Sequence, residues 1–247
     1  MVAESGAVDI AHDERQATRQ RVVEVTQARD RAALDRLRLT SDVGTRLFEL
    51  DQVRATSRVT GTDFTLVALD AFVRAAGARA GDCAVPWWGL AGISRVEGRH
   101  GTYGGGSLLP DGQVSRSIIG IALTGEAGTA AIGDTDGGAL DGDGVYDRAV
   151  GPMQFIPSTW ARFGTDGDLD GDIDPQNMYD AVAAAADYLC HNRVVRTETD
   201  LRAGYFSYNH SQVYVETVFG YAVNYAAFRI PPPPPAPPVP ATYPPQA

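Results

Sequence analysis

One acidic residue, Glu97, ends an apolar segment and has the setting of a proton donor. Residues 86–101 place apolar side chains three or four positions apart, which predicts a helix packed against a core. A proline suits its first turn, and glycines suit its end. Burial raises the pKa of a carboxyl group, and a carboxyl with a raised pKa can act as a general acid near neutral pH. The competing interpretation is a surface glutamate paired with Arg95 or Arg99.

A second group of chemically competent residues is the acidic loop at residues 166–174. Its acids fall at the first, third and fifth positions of a calcium-loop pattern, with glycine sixth and an aliphatic residue eighth. Five acids within nine residues repel one another without a cation, so we expect a structural Ca²⁺ rather than a solvated turn. The twelfth position holds an asparagine instead of the usual bidentate glutamate, which predicts weaker binding than in a sensor site. The predicted ligands are Asp166, Asp168, Asp170, Asp172 and Asn177.

The first acidic loop and the histidines show no clear metal-ligand spacing. The first acidic loop, residues 134–147, lacks the calcium spacing. Its Asp141, Asp143 and Asp147 could take a cation, but an ordinary acidic surface loop is the favoured interpretation. We expect no organic cofactor. Three histidines share no ligand spacing and are interpreted as surface or capping residues: His100, His191 and His210.

Helices separated by irregular loops must position these groups. Apolar periodicity and capping residues predict the helices, and a short apolar run at residues 117–123 fits either a strand or a brief helix. The predicted helical stretches are residues 13–39, 43–53, 62–77, 86–97, 178–191 and 201–228.

This pattern predicts a mostly α protein in three parts. Residues 1–57 form a helical, partly disordered extension, with disorder over residues 1–11. Residues 58–230 form the folded domain. Residues 231–247 are proline-rich, which predicts a disordered polyproline II tail and a candidate proline-reading partner.

Composition excludes several classes of partner. The net charge of −10 argues against nucleic acid and anionic membranes, which need a basic face. No run is long enough to span a membrane. Residues 1–30 carry no signal-peptide core, which at face value indicates a cytoplasmic protein unless the chain is a processed form. Cys83 and Cys190 fit either a lone disulfide in an exported protein or two free thiols in a cytosolic one.

Three segments in a fixed order resemble a known family. They are Arg-Val-Glu97-Gly-Arg-His-Gly, the run from Gly151 to Trp160 (Gly-Pro-Met-Gln-Phe-Ile-Pro-Ser-Thr-Trp), and Tyr208-Asn209 with a tyrosine six residues after Tyr208. With a calcium-type loop between the second and third, they resemble lytic transglycosylases of the lysozyme-like superfamily. The similarity is greatest to the murein transglycosylase B type in its actinobacterial form, over about residues 60–230.

The resemblance implies a helical fold like that of goose-type lysozyme, with a groove for peptidoglycan glycan strands. In that family one glutamate protonates the glycosidic oxygen between N-acetylmuramic acid and N-acetylglucosamine. It then acts as base while the muramyl 6-hydroxyl attacks C1, which gives a 1,6-anhydro product without a second catalytic carboxylate. The resemblance implies that Glu97 is the acid/base and that the substrate-binding residues are Met153, Gln154, Phe155, Tyr208, Asn209 and Tyr214.

The family pattern also implies contacts around the acid. Tyr208 and Asn209 are expected to help hold Glu97 and the substrate N-acetyl group, and Tyr214 to line the subsite. Many relatives have serine or threonine directly after the glutamate, where this chain has Gly98. A hydroxyl that might orient the acid is therefore missing.

Two other functions fit the same residues. A hydrolytic lysozyme on this fold would give reducing ends, with Asp141, Asp143 or Asp147 activating water. A non-catalytic cell-wall-binding module would fit the glycine after the acid, the proline tail and the long N-terminal helix. Function at the wall implies an exported, monomeric protein of the envelope or exterior, with a Cys83–Cys190 disulfide.

Overall fold

The computed structural model describes residues 3–126 and 128–228, with side chains described from residue 20 onward. The described chain is mostly helical, as the sequence predicts. The predicted proline-rich tail, residues 231–247, lies outside the described residues. The helices are α1 (Ala3–Thr56), α2 (Leu66–Ala78), α3 (Trp87–Glu97), α4 (Pro157–Phe163), α5 (Met178–Cys190), α6 (Glu198–Tyr208) and α7 (Gln212–Ala226), and the strands are β1 (Ile119–Ala122) and β2 (Arg148–Val150).

The chain divides into two units, one up to Val53 and one from Arg54 onward. The first unit is a single helical run within α1, where the sequence predicted two stretches and disorder over residues 1–11. Residues 3–11 belong to this helix in the structure, and the three alanines among them favour helix. Its apolar side chains from residue 20 onward are exposed, as at Val25 and Leu37.

The core of the second unit is built around α3. This helix packs against α2, α5 and α7. Leu90 and Ile93 are fully buried, as expected from their spacing. Gly92 lets α7 approach closely, because a Cβ atom there would lie 2.8 Å from the carbonyl oxygen of Val218. The predicted inward-facing helix is therefore the central element of the domain.

Helix α2 begins later than the sequence predicts. Neither Thr62 nor Asp63 caps it; Thr65 does, with extended backbone and a side-chain oxygen that accepts a hydrogen bond from the Ala68 N–H. The residue before the cap, Phe64, is 1% exposed and packs in the core. Asp63 is thereby left outside the helix, where its carboxylate contacts other elements.

The apolar run at residues 117–123 is a strand rather than a helix. Within it, β1 pairs antiparallel with β2, and Ile119 lies opposite Val150. The predicted helix over residues 201–228 is two helices, α6 and α7, because Asn209 and Ser211 end one and cap the next. In the described part of the chain, no helix is both long and apolar enough to cross a membrane.

A disulfide resolves the alternatives left open for the cysteines. Cys83 and Cys190 are bonded, and the described chain has no free cysteine. The bond joins the loop before α3 to the last residue of α5. It therefore links the segment that leads into the Glu97 helix to a second core helix.

Candidate active site

Glu97 is the last residue of α3 and lines a cleft of about 230 Å³. Glu97 does not form the alternative surface ion pair with Arg95 or Arg99. Arg95 pairs with Asp63 instead, and the Arg99 guanidinium lies over the ring of Tyr103. Residues from separate parts of the chain line this cleft: Glu97, Leu123, Ala149, Gln154, Phe155, Ile156, Thr159, Tyr188, Tyr208 and Asn209.

The carboxyl group of Glu97 is enclosed enough to favour its neutral form. Burial raises its pKa from 4.5 to about 7, although the hydrogen bond from Tyr214 acts to lower it. The Tyr214 hydroxyl donates to Glu97 Oε1 over 2.6 Å. A carboxyl group with this pKa is partly protonated at neutral pH and can both give and take a proton.

The two tyrosines have different partners from those expected. Tyr214, on α7, holds Glu97, whereas the Tyr208 hydroxyl donates to the backbone carbonyl of Met153 at 2.8 Å. Tyr208 is still close enough for the negative charge of Glu97 to act with burial in raising its pKa well above the ordinary value. Asn209 follows α6 and lines the cleft. The expected tyrosine contact to the acid therefore comes from Tyr214.

A tight turn between β2 and α4 forms one wall of the cleft. Gln154 has left-handed backbone, and its amide group donates to the carbonyl oxygen of Gly151 at 2.9 Å. Val150 and Phe155 exchange backbone hydrogen bonds across the turn. Met153 is fully buried beneath the turn, so it contributes its carbonyl and its packing rather than a surface of the cleft. Of the three predicted residues here, Gln154 and Phe155 line the cleft directly.

Gly98 is enclosed by the same turn. A Cβ atom at this position would lie 2.5 Å from the carbonyl oxygen of Pro152 and 2.7 Å from its Cα. These are backbone atoms, so they cannot rotate away as a flexible side chain can. The absence of a serine or threonine after Glu97 thus has a steric cause in this structure.

Five cleft residues were missed by the sequence analysis: Leu123, Ala149, Ile156, Thr159 and Tyr188. Thr159 lies within the Gly151–Trp160 segment that carried the resemblance, so its position could have been inferred. Tyr188 points into the cleft from α5, beside Tyr208, at a ring-centroid distance of 5.3 Å. Nothing in its helical context marks it as different from a core residue.

The second acidic loop brings carboxylates together, but not the predicted set. Ligand atoms of Asp166, Asp168 and Asp180 lie within 4.8 Å of one another. Asp170 and Asp172 are outside this cluster. Asn177 caps α5, since its side-chain oxygen accepts from the Tyr179 N–H, while its amide nitrogen donates to Asp168. In the first acidic loop, ligand atoms of another three acids also lie within 4.8 Å of one another: Asp134, Asp136 and Asp147.

Asp180 is the residue that the calcium-loop pattern missed. It lies on α5, beyond the loop, and is 1% exposed. Burial raises its pKa to about 6, and the negative charges of Asp168 and Asp166 add to this, although backbone hydrogen bonds from Asp174 and Gly167 act against it. A divalent cation would relieve this cost, and carboxylate oxygens are the ligands that Ca²⁺ prefers. The donor set therefore fits a calcium ion.

The three first-loop acids that could activate water in a hydrolytic lysozyme make local hydrogen bonds instead. Asp141 accepts the N–H groups of Asp143 and Arg148, and Asp143 pairs with the Arg148 guanidinium at 2.9 Å. Asp147 is fully buried and accepts two hydrogen bonds from Thr135. None of these three carboxylates lines the cleft of Glu97.

The predicted surface position is wrong for one histidine. His100 is 2% exposed and is packed among aromatic rings behind α3. His191 follows α5 as its C-terminal cap residue, and His210 is exposed between α6 and α7.

Comparison with known proteins gives a partial match. Residues 133–203 match the transglycosylase SLT domain. The matched segment is less than half of the chain; it includes the turn at Gly151, α4, the second acidic loop and α5, but not Glu97, Tyr208 or Tyr214. The match supports the lysozyme-like character of this helical domain.

Two solved structures also align with the chain. One is the Escherichia coli lytic transglycosylase Slt35 in complex with bulgecin A, with 15% identity over 64% of this chain and 73% of that chain and a TM-score of 0.40. The other is Slt35 in complex with calcium, with 14% identity over 64% of this chain and 74% of that chain and a TM-score of 0.40. No curated protein matches the sequence.

Proposed function

We propose that the protein is a peptidoglycan lytic transglycosylase with Glu97 as its single acid/base. The observation that carries the proposal is a glutamate with a pKa of about 7 in a cleft where it is the only carboxylate among the described lining residues. The transglycosylase SLT domain match over residues 133–203 supports the same reaction class.

The proposed reaction needs one group that first donates and then accepts a proton. Protonated Glu97 gives its proton to the glycosidic oxygen between N-acetylmuramic acid and N-acetylglucosamine as the bond from that oxygen to C1 breaks. The carboxylate then takes the proton of the muramyl 6-hydroxyl, whose oxygen bonds to C1 and closes the 1,6-anhydro ring. No water is consumed, so no second carboxylate has to activate one, unlike in the two-carboxylate glycosidases.

The other cleft residues are proposed to bind the sugar. Gln154 and Asn209 present amide groups for hydrogen bonds to the N-acetyl and hydroxyl groups, and Phe155 offers an apolar surface. Tyr208 and Tyr214 hold the turn and the acid in place through their hydroxyl groups. Met153 supports the turn from below.

Product analysis tests the proposal. Purified sacculi digested with the wild-type protein should release anhydro-muropeptides, and Glu97→Gln should release none. A hydrolytic lysozyme would instead release reducing-end products that are heavier by one water, which mass spectrometry resolves. Binding to sacculi without any product would favour the non-catalytic wall-binding module. Glu126→Gln, which changes an exposed loop glutamate, is the matched control and should keep full activity.

We also propose a structural Ca²⁺ held by Asp166, Asp168 and Asp180, with Asp170 and Asp172 of the same loop as the further candidates. When bound, the ion would tie the loop to α5. Added calcium should raise the melting temperature and a chelator should lower it, because a ligand that binds only the folded state stabilises it. Asp180→Asn should abolish that response, whereas Asp134→Asn, in the other acidic loop, should keep it. The reverse pattern would place the ion in the first loop and contradict the assignment.

An exported location follows from the proposed substrate. The Cys83–Cys190 bond supports it, since disulfides persist in oxidising compartments. A thiol assay on protein isolated from its own cell should find no free cysteine. Two free thiols would count against export.

A further inference from the structure

The turn directly after Glu97 has an unusual backbone. Arg99, His100 and Gly101 follow one another with positive φ angles of 49°, 57° and 80°. Left-handed backbone costs non-glycine residues roughly 1–2 kcal/mol each, so such a turn persists only where other contacts hold it. The carbonyl oxygen of Gly98 accepts the backbone N–H groups of three later residues of the turn, at 3.0 to 3.1 Å. These hydrogen bonds therefore hold the backbone directly after Glu97 in one conformation.

His100 anchors this turn from inside the core. Its backbone N–H donates over 3.1 Å to the carbonyl oxygen of Ser94, in the last turn of α3. Its ring packs edge-on against Phe64 and Phe72, at centroid distances of 5.2 and 5.8 Å. The side chain is 1% exposed, so the ring cannot move without disturbing the core.

Both ring nitrogens of His100 have polar partners. Nδ1 lies 3.2 Å from the Ser94 hydroxyl, and Nε2 lies 3.1 Å from the Tyr225 hydroxyl and 3.3 Å from Asp63 Oδ1. The Tyr225 hydroxyl donates to the same Asp63 oxygen over 2.6 Å. Asp63 Oδ2 also lies 2.5 Å from Nε of Arg95, a residue of α3. The network thus joins the segment before α2, the end of α3 and the end of α7.

The charges around His100 favour one protonation state. The titratable groups that face it are Asp63, Arg95 and Tyr225. Burial lowers the pKa of His100, and it outweighs the opposing effect of Asp63. A neutral ring with its proton on Nε2 satisfies every contact, because Ser94 can then donate to Nδ1 while Nε2 donates to Asp63 and Tyr225.

We infer that His100, whose ring partners lie outside the cleft lining, is a positioning residue for Glu97. The ring, held by Asp63 and Tyr225, locks the left-handed turn. The turn places Gly98 against Pro152, and this contact sets where the Glu97 carboxyl meets the cleft and Tyr214. The inference rests on the proposed function only for its effect on turnover, since the placement of the carboxyl can be measured without substrate.

The test uses variants that keep the turn geometry accessible. His100→Asn tolerates the left-handed backbone but is too short to reach Asp63 and Tyr225. His100→Gln extends an amide N–H toward them and should restore part of the effect. Tyr225→Phe keeps its ring and removes only the hydroxyl. His191→Asn, at an exposed histidine, is the matched control.

Two readouts separate positioning from mere support of the fold. The first is the pKa of Glu97, followed by NMR of ¹³C-carboxyl-labelled glutamate. Tyr214 and Tyr208 are the titratable groups that face this carboxyl. In His100→Asn the Glu97 pKa should fall by about 1 or more, because a displaced carboxyl is better solvated. The second is steady-state turnover, where kcat should fall about 10- to 100-fold with KM nearly unchanged, as expected for misplacement on the scale of 1 Å.

Each outcome decides the inference. A lower melting temperature with unchanged Glu97 pKa and unchanged kcat would overturn it, since His100 would then only stabilise the fold. If His100→Asn does not fold, Tyr225→Phe takes its place: a lowered Glu97 pKa supports positioning, and an unchanged value overturns it. If the wild type releases no products from sacculi, the proposed function fails, while the NMR titration still tests the placement of the carboxyl.

Discussion

Replacing the acid by its neutral amide, Glu97→Gln, changes the charge of the site while keeping its shape. The glutamine oxygen can still accept the Tyr214 hydroxyl, so packing and hydrogen bonding are nearly preserved. Comparing the variant with the wild type therefore measures how much the unfolding free energy falls when Glu97 is ionised in the folded protein. We expect it to be inactive and, above neutral pH, more stable than the wild type.

The size of the gain follows from the pKa of Glu97. The folded-state value of about 7 exceeds the ordinary 4.5 by about 2.5, and one pKa unit corresponds to about 1.36 kcal/mol. Below about pH 4.5 Glu97 is protonated in both the folded and the unfolded wild type, so the variant has no higher unfolding free energy than the wild type. Between about pH 4.5 and 7 the unfolded chain ionises first, so the wild type loses stability as the pH rises. Because Glu97 is only partly buried and water screens part of the cost, the gain above pH 7 should be about 2 to 3 kcal/mol.

Urea unfolding at a series of pH values between about 4 and 9 measures this difference. Effects of the other titratable groups are common to both proteins and cancel when the two curves are subtracted. Glu126→Gln controls for the loss of one exposed carboxylate. A stability difference that does not change with pH would refute the reasoning, because Glu97 would then ionise near its ordinary pKa and would be deprotonated at neutral pH.

Three further outcomes follow from contacts of the site and core. Gly98→Ala and Gly98→Ser should both lower stability by about 1 to 3 kcal/mol, since a Cβ atom overlaps the Pro152 backbone; thermal melting checks this, and a more stable Gly98→Ser would contradict it. Tyr214→Phe removes a hydrogen bond that lowers the pKa of Glu97, so the high-pH limb of the kcat/KM profile should move to higher pH. Reducing the disulfide, which joins residues 107 apart, should lower the unfolding free energy by about 4 to 5 kcal/mol in the chain-entropy model, as measured by urea unfolding with and without reductant.

Local patterns were enough to predict two of the helices that position the site. The apolar spacing along α3 placed Glu97 at the end of a buried helix, and the alanine-rich run predicted α5, because both signals lie within one helix. The start of α2 was placed too early, since Thr62, Asp63 and Thr65 are all good capping types. Phe64 decides between them: its burial in the core fixes where the chain turns into the helix.

Contacts between distant segments were not predictable in the same way. Asp180 belongs to the acidic cluster although it lies on a helix outside the loop pattern, because folding brings α5 back beside Asp166. His100 was interpreted as a surface or capping residue, and its burial was missed because its partners Asp63 and Tyr225 lie far from it in the chain. A sequence pattern reports residue spacing along one element, whereas these sites depend on how elements pack.

The hydroxyl missing after Glu97 illustrates the same distinction. From the sequence alone, Gly98 indicates a missing hydroxyl, because a serine or threonine there could orient the acid. In three dimensions the position has no room for a side chain, since the Pro152 backbone occupies it. The hydroxyl that contacts Glu97 comes instead from Tyr214, on α7. The close backbone contact and the tyrosine are thus two parts of one arrangement, in which Gly98 lets the cleft wall approach and α7 supplies the hydrogen bond.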